Sequence, residues 1–317
     1  MNGYGNILSP NGLKLPLDIE RLYGGRPEKT ALEIGFGNGE YTVKWAAANP
    51  DSLMVGLEVS FSCIVRCARR IGEAGLSNLK IICADARFMM KELFADESLD
   101  MIVMNFPCPW PKTRHAKRRV TASEFAGGLA SVLKVGGVFE LVTDEEWYAD
   151  EVQKALSAHD ALTVSREVGF SRPITTKYER KWLAMGKTIV KLTAAKTKKL
   201  AKNTVGRRTW GEDADLHVKT GKPLSKMPEG GLAFLTGASG AVGDARWAFK
   251  GHYAAGKRYL VETVMSDDDF EQRCYLKVVE RDGDTMIKLD GTAKVFLTPA
   301  VRFAVEDLAR RLTEAAG

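Results

Sequence analysis

The sequence has few cysteines, five among 317 residues, and no two of them have the CxxC spacing. An odd count without such pairs argues against a secreted disulfide framework and a cysteine-rich zinc site, and it indicates a reducing cytoplasm. No apolar run approaches the roughly 18 residues that a membrane-spanning helix needs. The polar start, MNGYGNILSPNG, lacks the layout of a signal peptide. These absences predict a soluble cytoplasmic protein with no membrane partner.

The composition is that of a globular chain with a mild positive charge. Apolar residues make up 45% of the sequence, which is enough for one large core and a second, smaller one. Lysine and arginine number 46 against 40 acidic residues. Ten of these cations lie between Lys191 and Lys226, against three acids. Such clustering favours a polyanionic partner.

From Thr30 to about Leu192, short β-rich apolar runs alternate with longer helical segments. This pattern predicts an α/β domain at 30–192 with a doubly wound, mostly parallel sheet, preceded by an N-terminal extension at 1–29. The predicted strands are 31–34, 53–57, 79–83, 101–104, 138–142, 162–170 and 182–192. The last two are expected to form an antiparallel hairpin.

The remaining sequence predicts a basic linker at 193–231 and a small α+β accessory domain at 232–317. In that domain we expect strands at 246–252, 257–264, 272–280 and 285–289 and a helix at 298–315. Four aromatic residues have two interpretations, packing in its core or stacking on bases, and the strand spacing favours the core. They are Trp247, Phe249, Tyr253 and Tyr259.

Three glycines follow the first predicted strand, in Glu33-Ile-Gly35-Phe-Gly37-Asn-Gly39. Glycines permit a tight turn and let a ligand approach the backbone closely. The acid before the glycines places a carboxylate where a cation can bind, which favours a zwitterionic nucleoside such as S-adenosylmethionine. The alternative is a glycine-rich turn without a ligand.

Two further acids follow the next two strands. Glu58 ends the second strand, where a carboxylate can accept both ribose hydroxyls. Asp85, or a backbone amide beside it at Ala86, can bind the edge of adenine. One such acid is often a helix cap, but three at the same sheet edge indicate a cofactor site, to which we also assign Asn105.

The fourth strand enters an unusual loop, FPCPWPKTRHAKRR. Three prolines stiffen it, and Trp110 offers a stacking surface. Its cations form a candidate site for nucleic acid, against the alternative of a solvated surface. They are Lys112, Arg114, Lys117, Arg118 and Arg119. For His115, phosphate contact or simple exposure is favoured over general-base catalysis because no carboxylate lies beside it in sequence.

With this loop, residues 30 to about 192 closely resemble the bacterial tRNA (guanine-N7-)-methyltransferase family, whose members carry FPDPWxKxRHxKRR. The segments LEIGFGNGE, GLEVS, NLKIICADA, LKVGGVFELVTDEEWYA and TKYER also match, whereas residues 200–317 lie outside the resemblance. The resemblance implies a class I methyltransferase sheet, S-adenosylmethionine as donor, S-adenosylhomocysteine as product, no metal, and a guanosine of the tRNA variable loop as target. It implies that the acids matching Glu33, Glu58 and Asp85 bind the donor. It also implies that residues matching Lys112, Asp144, Thr176, Lys177, Tyr178 and Glu179 bind tRNA.

One position departs from the family pattern, because Cys108 stands where the family has an aspartate with catalytic and donor-binding roles. Guanine N7 carries a lone pair and no proton, so alignment matters more than a base. Asp144 and Glu179 are candidate acceptors for the guanine N1 and N2 protons, and Cys108 and Asp144 are the catalytic candidates.

Three rival functions stay open on the sequence alone. They are a noncatalytic tRNA-binding protein, a methyltransferase acting on another RNA, and a methyl- or aminopropyltransferase acting on a small molecule or protein. The basic loop argues against the last of these.

A monomer and a homodimer are both compatible with the sequence. The spacing of Cys63 and Cys67 fits helix packing better than a metal site.

Overall fold

The computed structural model describes residues 3–112, 119, 123–173, 176–201, 206–207, 216–226, 231–256 and 258–316. The chain divides into two compact units. The first contains Met1–Leu8 and Lys14–Arg208, and the second contains Ser9–Leu13 and Thr209–Gly317. The domain boundaries predicted at 29, 192 and 231 stay predictions.

The first unit alternates strands and helices along the described part of the chain. Its elements are β1 (Ile7–Leu8), α1 (Ile19–Tyr23), β2 (Thr30–Ile34), α2 (Glu40–Ala48), β3 (Leu53–Glu58), α3 (Phe61–Ala74), β4 (Leu79–Cys83), α4 (Ala86–Leu93), β5 (Leu99–Asn105), α5 (Ser123–Val132), β6 (Leu133–Thr143), α6 (Glu146–Ser157), β7 (Leu162–Val168), α7 (Lys177–Ala184) and β8 (Val190–Lys196). The predicted α/β alternation is therefore confirmed.

These strands form one eight-stranded sheet in the order β1-β4-β3-β2-β5-β6-β8-β7. All pairs are parallel except those of β8, which runs antiparallel to both β6 and β7. Every residue of β2 is buried, as a strand covered on both faces requires. The strand order reverses between β2 and β5, and ligands of such sheets bind at the carboxyl ends of the strands beside this point.

The strand predicted at 182–192 is wrong in its first half. The backbone there is helical through Ala184, and β8 begins only at Val190. The helix is started by Thr176 and Glu179, which form a capping box: each side chain accepts a hydrogen bond from the other's backbone N–H. Helix α7 therefore includes residues 182–184, which the sequence analysis assigned to a strand. The predicted antiparallel pairing of the last two strands is confirmed.

The second unit is a six-stranded antiparallel sheet with a helix on one face. Its elements are β9 (His217–Lys219), β10 (Ser239–Val242), β11 (Ala245–Ala255), β12 (Arg258–Asp267), β13 (Phe270–Arg281), β14 (Asp284–Leu289) and α8 (Pro299–Ala315), with strand order β10-β11-β12-β13-β14-β9. Val301, Val305 and Leu308 of α8 pack in the core of this unit. The four predicted strands and the helix are confirmed, and β9 and β10 are additional.

The four aromatic residues singled out from the sequence differ in burial, and base stacking by any of them stays a prediction. Trp247 and Phe249 lie in the core, where the Trp247 indole donates to Asp307 at 2.8 Å. Tyr259 packs against the core while partly exposed, and Tyr253 is 58% exposed.

Within the described residues, the structure contains no helix long and apolar enough to cross a membrane.

Candidate active site

A cavity of about 190 Å³ opens at the carboxyl ends of β2, β3 and β4. Its lining includes Gly35, Glu58, Asp85, Ala86, Arg87 and Trp110. Four of these were predicted from the sequence to bind a cofactor. The topology brings them together, because the three strands are parallel neighbours whose ends lie at one edge of the sheet.

Glu58 links the glycine turn to the start of α3. One carboxylate oxygen accepts the backbone N–H of Gly37 and the other accepts that of Ser60, both at 2.9 Å. A carboxylate has about four lone-pair sites, so each oxygen can accept a further bond. The geometry is therefore that of a carboxylate held in place with acceptor capacity to spare.

The three glycines of the turn serve different purposes. All have left-handed backbone, with φ of 70° at Gly35, 56° at Gly37 and 76° at Gly39, which favours glycine. A Cβ atom at Gly35 or Gly37 would meet no atom within 4 Å, so the backbone there is open to a ligand. At Gly39 it would overlap the sulfur of the buried Cys67 on α3. Gly39, predicted to bind cofactor, thus has a packing role in the structure.

Asp85 caps the first turn of α4. Its carboxylate accepts the backbone N–H of Arg87 at 3.0 Å and the Arg87 Nε at 3.0 Å. Ala86 is the first residue of the helix and is 6% exposed. Asp85 therefore combines the cap role with a place in the cavity wall.

Glu33 lies behind the cavity rather than in its lining, with only 2% of its surface exposed. The Thr42 hydroxyl donates to one of its oxygens, and the Asn105 amide donates to the other at 2.8 Å. Burial raises the pKa of Glu33 to about 7, although these hydrogen bonds and the positive charge of Arg172 oppose the shift.

Arg172 was not identified from the sequence, yet it connects several predicted residues. Its guanidinium donates to the Asn105 side-chain oxygen at 2.7 Å and pairs with Glu179 at 3.0 Å. It also stacks on the ring of Tyr41 at 4.6 Å. Glu179 is fully buried, and one of its oxygens has no hydrogen-bond partner within the described structure. Its predicted contact with tRNA stays a prediction, and the structure adds the pairing with Arg172.

The other residues predicted around α7 differ in exposure. Thr176 is 8% exposed and is used in the helix cap. Tyr178 is 57% exposed. Lys177 is the first helical residue, and its side chain lies outside the description. Among the described side chains of this group, Tyr178 is thus the one that a large substrate reaches most easily.

The proline-rich loop brings an aromatic ring to the cavity. Trp110 lines it, and both Phe106 and Trp110 have positive φ, 49° and 48°, a strain that is concentrated at functional sites. Cys108 and Lys112 are exposed. Cys108 is not among the residues that line the cavity.

Arg119 holds this loop in place. Its guanidinium donates to the Trp110 carbonyl at 2.9 Å, pairs with Glu151 of α6 at 2.8 Å and stacks on Trp147 at 5.1 Å. The side chain is only 11% exposed. Arg119, which was predicted to contact tRNA, therefore makes contacts within the protein that connect the loop to α6. Arg114, His115, Lys117 and Arg118 lie outside the described residues.

Asp144 follows β6 and is engaged by a cation. Its carboxylate forms an ion pair with Lys187, and Glu145 lies 3.4 Å from the same ammonium. The pairing raises the pKa of Lys187.

Within the described residues no group of three or more potential metal ligands occurs.

Comparison with known proteins identifies the family. Residues 27–192 match the family model described as "Putative methyltransferase". The tRNA (guanine-N(7)-)-methyltransferase of Thermotoga maritima is 35% identical over 304 residues, which is 95% of this chain and 94% of the relative. This chain belongs to the tRNA (guanine-N7-)-methyltransferase family. Its first unit has the class I methyltransferase fold.

In this methyltransferase, residues up to about 192 and residues 200–317 differ in which relatives they align with. The Yersinia enterocolitica tRNA (guanine-N(7)-)-methyltransferase is 36% identical over 192 residues, covering 59% of this chain and 80% of the relative. The family model ends at 192, whereas the alignment with the Thermotoga enzyme includes most of residues 200–317. Among solved structures, the 16S rRNA methyltransferase KamB aligns with a TM-score of 0.45 and 17% identity, covering 57% of this chain and 93% of its own.

Proposed function

We propose that this methyltransferase transfers a methyl group from S-adenosylmethionine to N7 of a guanosine in tRNA, with the variable-loop guanosine as target. The observation that carries the proposal is the cavity beside Glu58 in a chain that aligns over 95% of its length with a relative named for this reaction. The reaction is proposed to occur in the cytoplasm, which suits five free cysteines.

The cavity residues suit the donor. Glu58 would accept the ribose hydroxyls, and the open backbone at Gly35 and Gly37 would allow close approach of the ligand. Asp85 and the Ala86 amide would bind the adenine edge, with Trp110 covering the site. When bound, S-adenosylmethionine supplies a methyl group on a positively charged sulfur.

The chain's own contribution to methyl transfer is alignment and charge. Guanine N7 needs no base to become a nucleophile, so the groups that orient the purine carry most of the effect. Asp144 is proposed to accept from the guanine edge, with Lys187 beside it as a steering cation. Positive charge moves onto the purine during transfer, and an acidic acceptor stabilises that change. Lys112 and Tyr178 are exposed and are proposed to contact the tRNA.

The proposal is tested by incubating the purified chain with unmodified tRNA and S-adenosylmethionine. N7-methylguanosine is then mapped by reductive cleavage of the RNA at the modified base. We expect one modified position, in the variable loop, and none in a tRNA whose variable-loop guanosine is replaced by adenosine. Binding of tRNA without any N7-methylguanosine would favour the noncatalytic alternative, which the loss of the family aspartate at Cys108 keeps in view.

A further inference from the structure

The sheet of the second unit has one face covered by α8 and another that carries exposed side chains. Along β13 the alternation is regular: Cys274, Leu276 and Val278 are buried against the helix. Arg273 and Tyr275 point the opposite way and are exposed, by 61% for the Arg273 side chain and 36% for Tyr275. We call the side opposite α8 the outer face, defined by Tyr253, Arg273, Tyr275, Lys277 and Lys288.

Two lysines of the outer face lie directly opposite each other. Lys277 of β13 is the register partner of Lys288 on β14. Like charges at opposite positions of an antiparallel pair destabilise the sheet. The acids nearby are engaged by other groups as well: Glu262 pairs with Arg273 at 3.4 Å, and hydrogen bonds from Thr292, with a smaller contribution from the Lys277 charge, lower the pKa of Asp290, which follows β14. A phosphate bound between the two ammonium groups would replace this repulsion by attraction.

Two tyrosines lie beside the lysines. Tyr253 and Leu260 are register partners, and Leu260 is in turn the partner of Lys277, so the tyrosine and both lysines belong to one row across the sheet. Tyr253 is 58% exposed, and its ring centroid is 5.9 Å from that of Tyr275, at 75°. Exposed aromatic rings next to cations are the combination that binds unpaired bases and the phosphates between them.

We infer that the outer face is a docking surface for the substrate tRNA, with Lys277 and Lys288 contacting phosphates and Tyr253 and Tyr275 stacking on unpaired bases. The inference rests on the proposed function for the identity of the RNA. It assigns to the second unit a role in substrate binding, separate from the donor cavity of the first unit.

The test compares four double variants of the full chain with labelled unmodified tRNA, by fluorescence anisotropy over a range of salt concentrations. Two of them remove the proposed contacts: Lys277→Gln with Lys288→Gln, and Tyr253→Ala with Tyr275→Ala. Tyr253→Phe with Tyr275→Phe keeps the rings. Arg69→Gln with Arg70→Gln removes the same charge from exposed positions of α3. Calorimetry with S-adenosylhomocysteine checks that every variant keeps its donor site.

We expect the lysine variant to lower the log–log salt slope by about 1.5, since each lost phosphate contact removes about 0.7 to 0.9. The tyrosine-to-alanine variant should weaken binding at least about fivefold, whereas the phenylalanine variant should bind as the wild type does. Equal slopes for the lysine variant and the Arg69/Arg70 control would overturn the inference. So would a tyrosine-to-alanine variant that changes the sedimentation of the chain but not its tRNA affinity, because the face would then join two copies.

The two proposals fail separately. Absence of N7-methylguanosine in wild-type reactions counts against the proposed function. The outer face is judged only by the difference in RNA binding between the variants and their controls.

Discussion

Asn105 donates a hydrogen bond of 2.8 Å from its side-chain amide to the Glu33 carboxylate. Arg172 fixes the orientation of that amide by donating to its oxygen at 2.7 Å. The end of β5 is thereby joined to the end of β2 on one side and to the segment before α7 on the other. These two hydrogen bonds connect Arg172 to the strand end from which the glycine turn begins.

The raised pKa of Glu33 predicts a pH-dependent stability. Since burial raises it from 4.5 to about 7, the folded chain keeps this proton where the unfolded chain has lost it. The stabilisation is complete below about pH 4.5 and is lost as the pH rises through about 7. Between pH 5 and pH 8, the wild type should lose about 2 to 3 kcal/mol more unfolding free energy than Glu33→Gln. Denaturant titrations at both pH values measure this, and parallel losses would contradict it.

Arg172 is predicted to be a major stabilising residue. Arg172→Gln leaves the carboxylate of Glu179 buried without its cation and should cost about 3 to 5 kcal/mol of unfolding free energy. The matched control is Arg69→Gln, which removes an arginine whose pair with Glu73 is exposed and should cost about 1 kcal/mol or less. Chemical denaturation of both variants decides the matter, and similar losses in the two would refute the assignment.

Arg119 is predicted to act by holding the proline-rich loop. Arg119→Ala removes the bonds to the Trp110 carbonyl and to Glu151, so the loop should open more often. Hydrogen exchange of residues 106–112 should then be faster than in the wild type, and S-adenosylhomocysteine should bind more weakly because Trp110 lines the cavity. Glu124→Ala, at an exposed position of α5, serves as control. Unchanged exchange would mean that the prolines alone hold the loop.

Glu58 is predicted to be needed for donor binding. Without its carboxylate, two ribose hydroxyls lose their acceptor, and the Gly37 and Ser60 amides lose theirs. Glu58→Ala should weaken S-adenosylhomocysteine binding by about 1.5 to 3 kcal/mol. Calorimetry on variants with native circular dichroism measures this. Unchanged affinity in a folded variant would remove Glu58 from the donor site.

Cys108 is predicted to have little effect on turnover. The residue is exposed and is not part of the cavity lining, so Cys108→Ser and Cys108→Asp should each change the barrier by about 0.5 kcal/mol or less. Single-turnover rates with saturating tRNA test this. A clear gain in Cys108→Asp would show instead that the reaction uses a negative charge at this position, as the family aspartate implies.

The parts of the fold that sequence reasoning identified are those with strong local patterns. Buried parallel strands such as β3 are nearly continuous apolar runs, and the regular alternation of β13 marks a sheet with one covered face. Strand β1 has two residues and β9 has three, too few to show any period. At 182–192 the apolar composition indicated a strand, but the capping box at Thr176 started a helix first.

Within the candidate site, the glycines and acids were recognisable because they lie at or just after the ends of predicted strands, which meet at one edge of the sheet. Arg172 gave no such signal, because its partners Asn105 and Glu179 meet it only through the folded sheet edge. The cations of the proline-rich loop were assigned to tRNA from their charge and the family resemblance, and neither distinguishes a tRNA contact from the contacts within the protein that Arg119 makes. Separating these roles requires knowing what each guanidinium touches.

Because β8 runs antiparallel to β7, residues 169–189 form a segment that could be replaced as one piece. Since β7 ends and β8 begins at the same edge of the sheet, this segment leaves and re-enters the scaffold at adjacent points, Val168 and Val190, which are register partners. It carries Arg172 and the whole of α7. Because Arg172 donates to Asn105 at the end of β5, a segment grafted here from a relative must keep that arginine, and it can then replace α7 while the pairing of β7 with β8 stays in register.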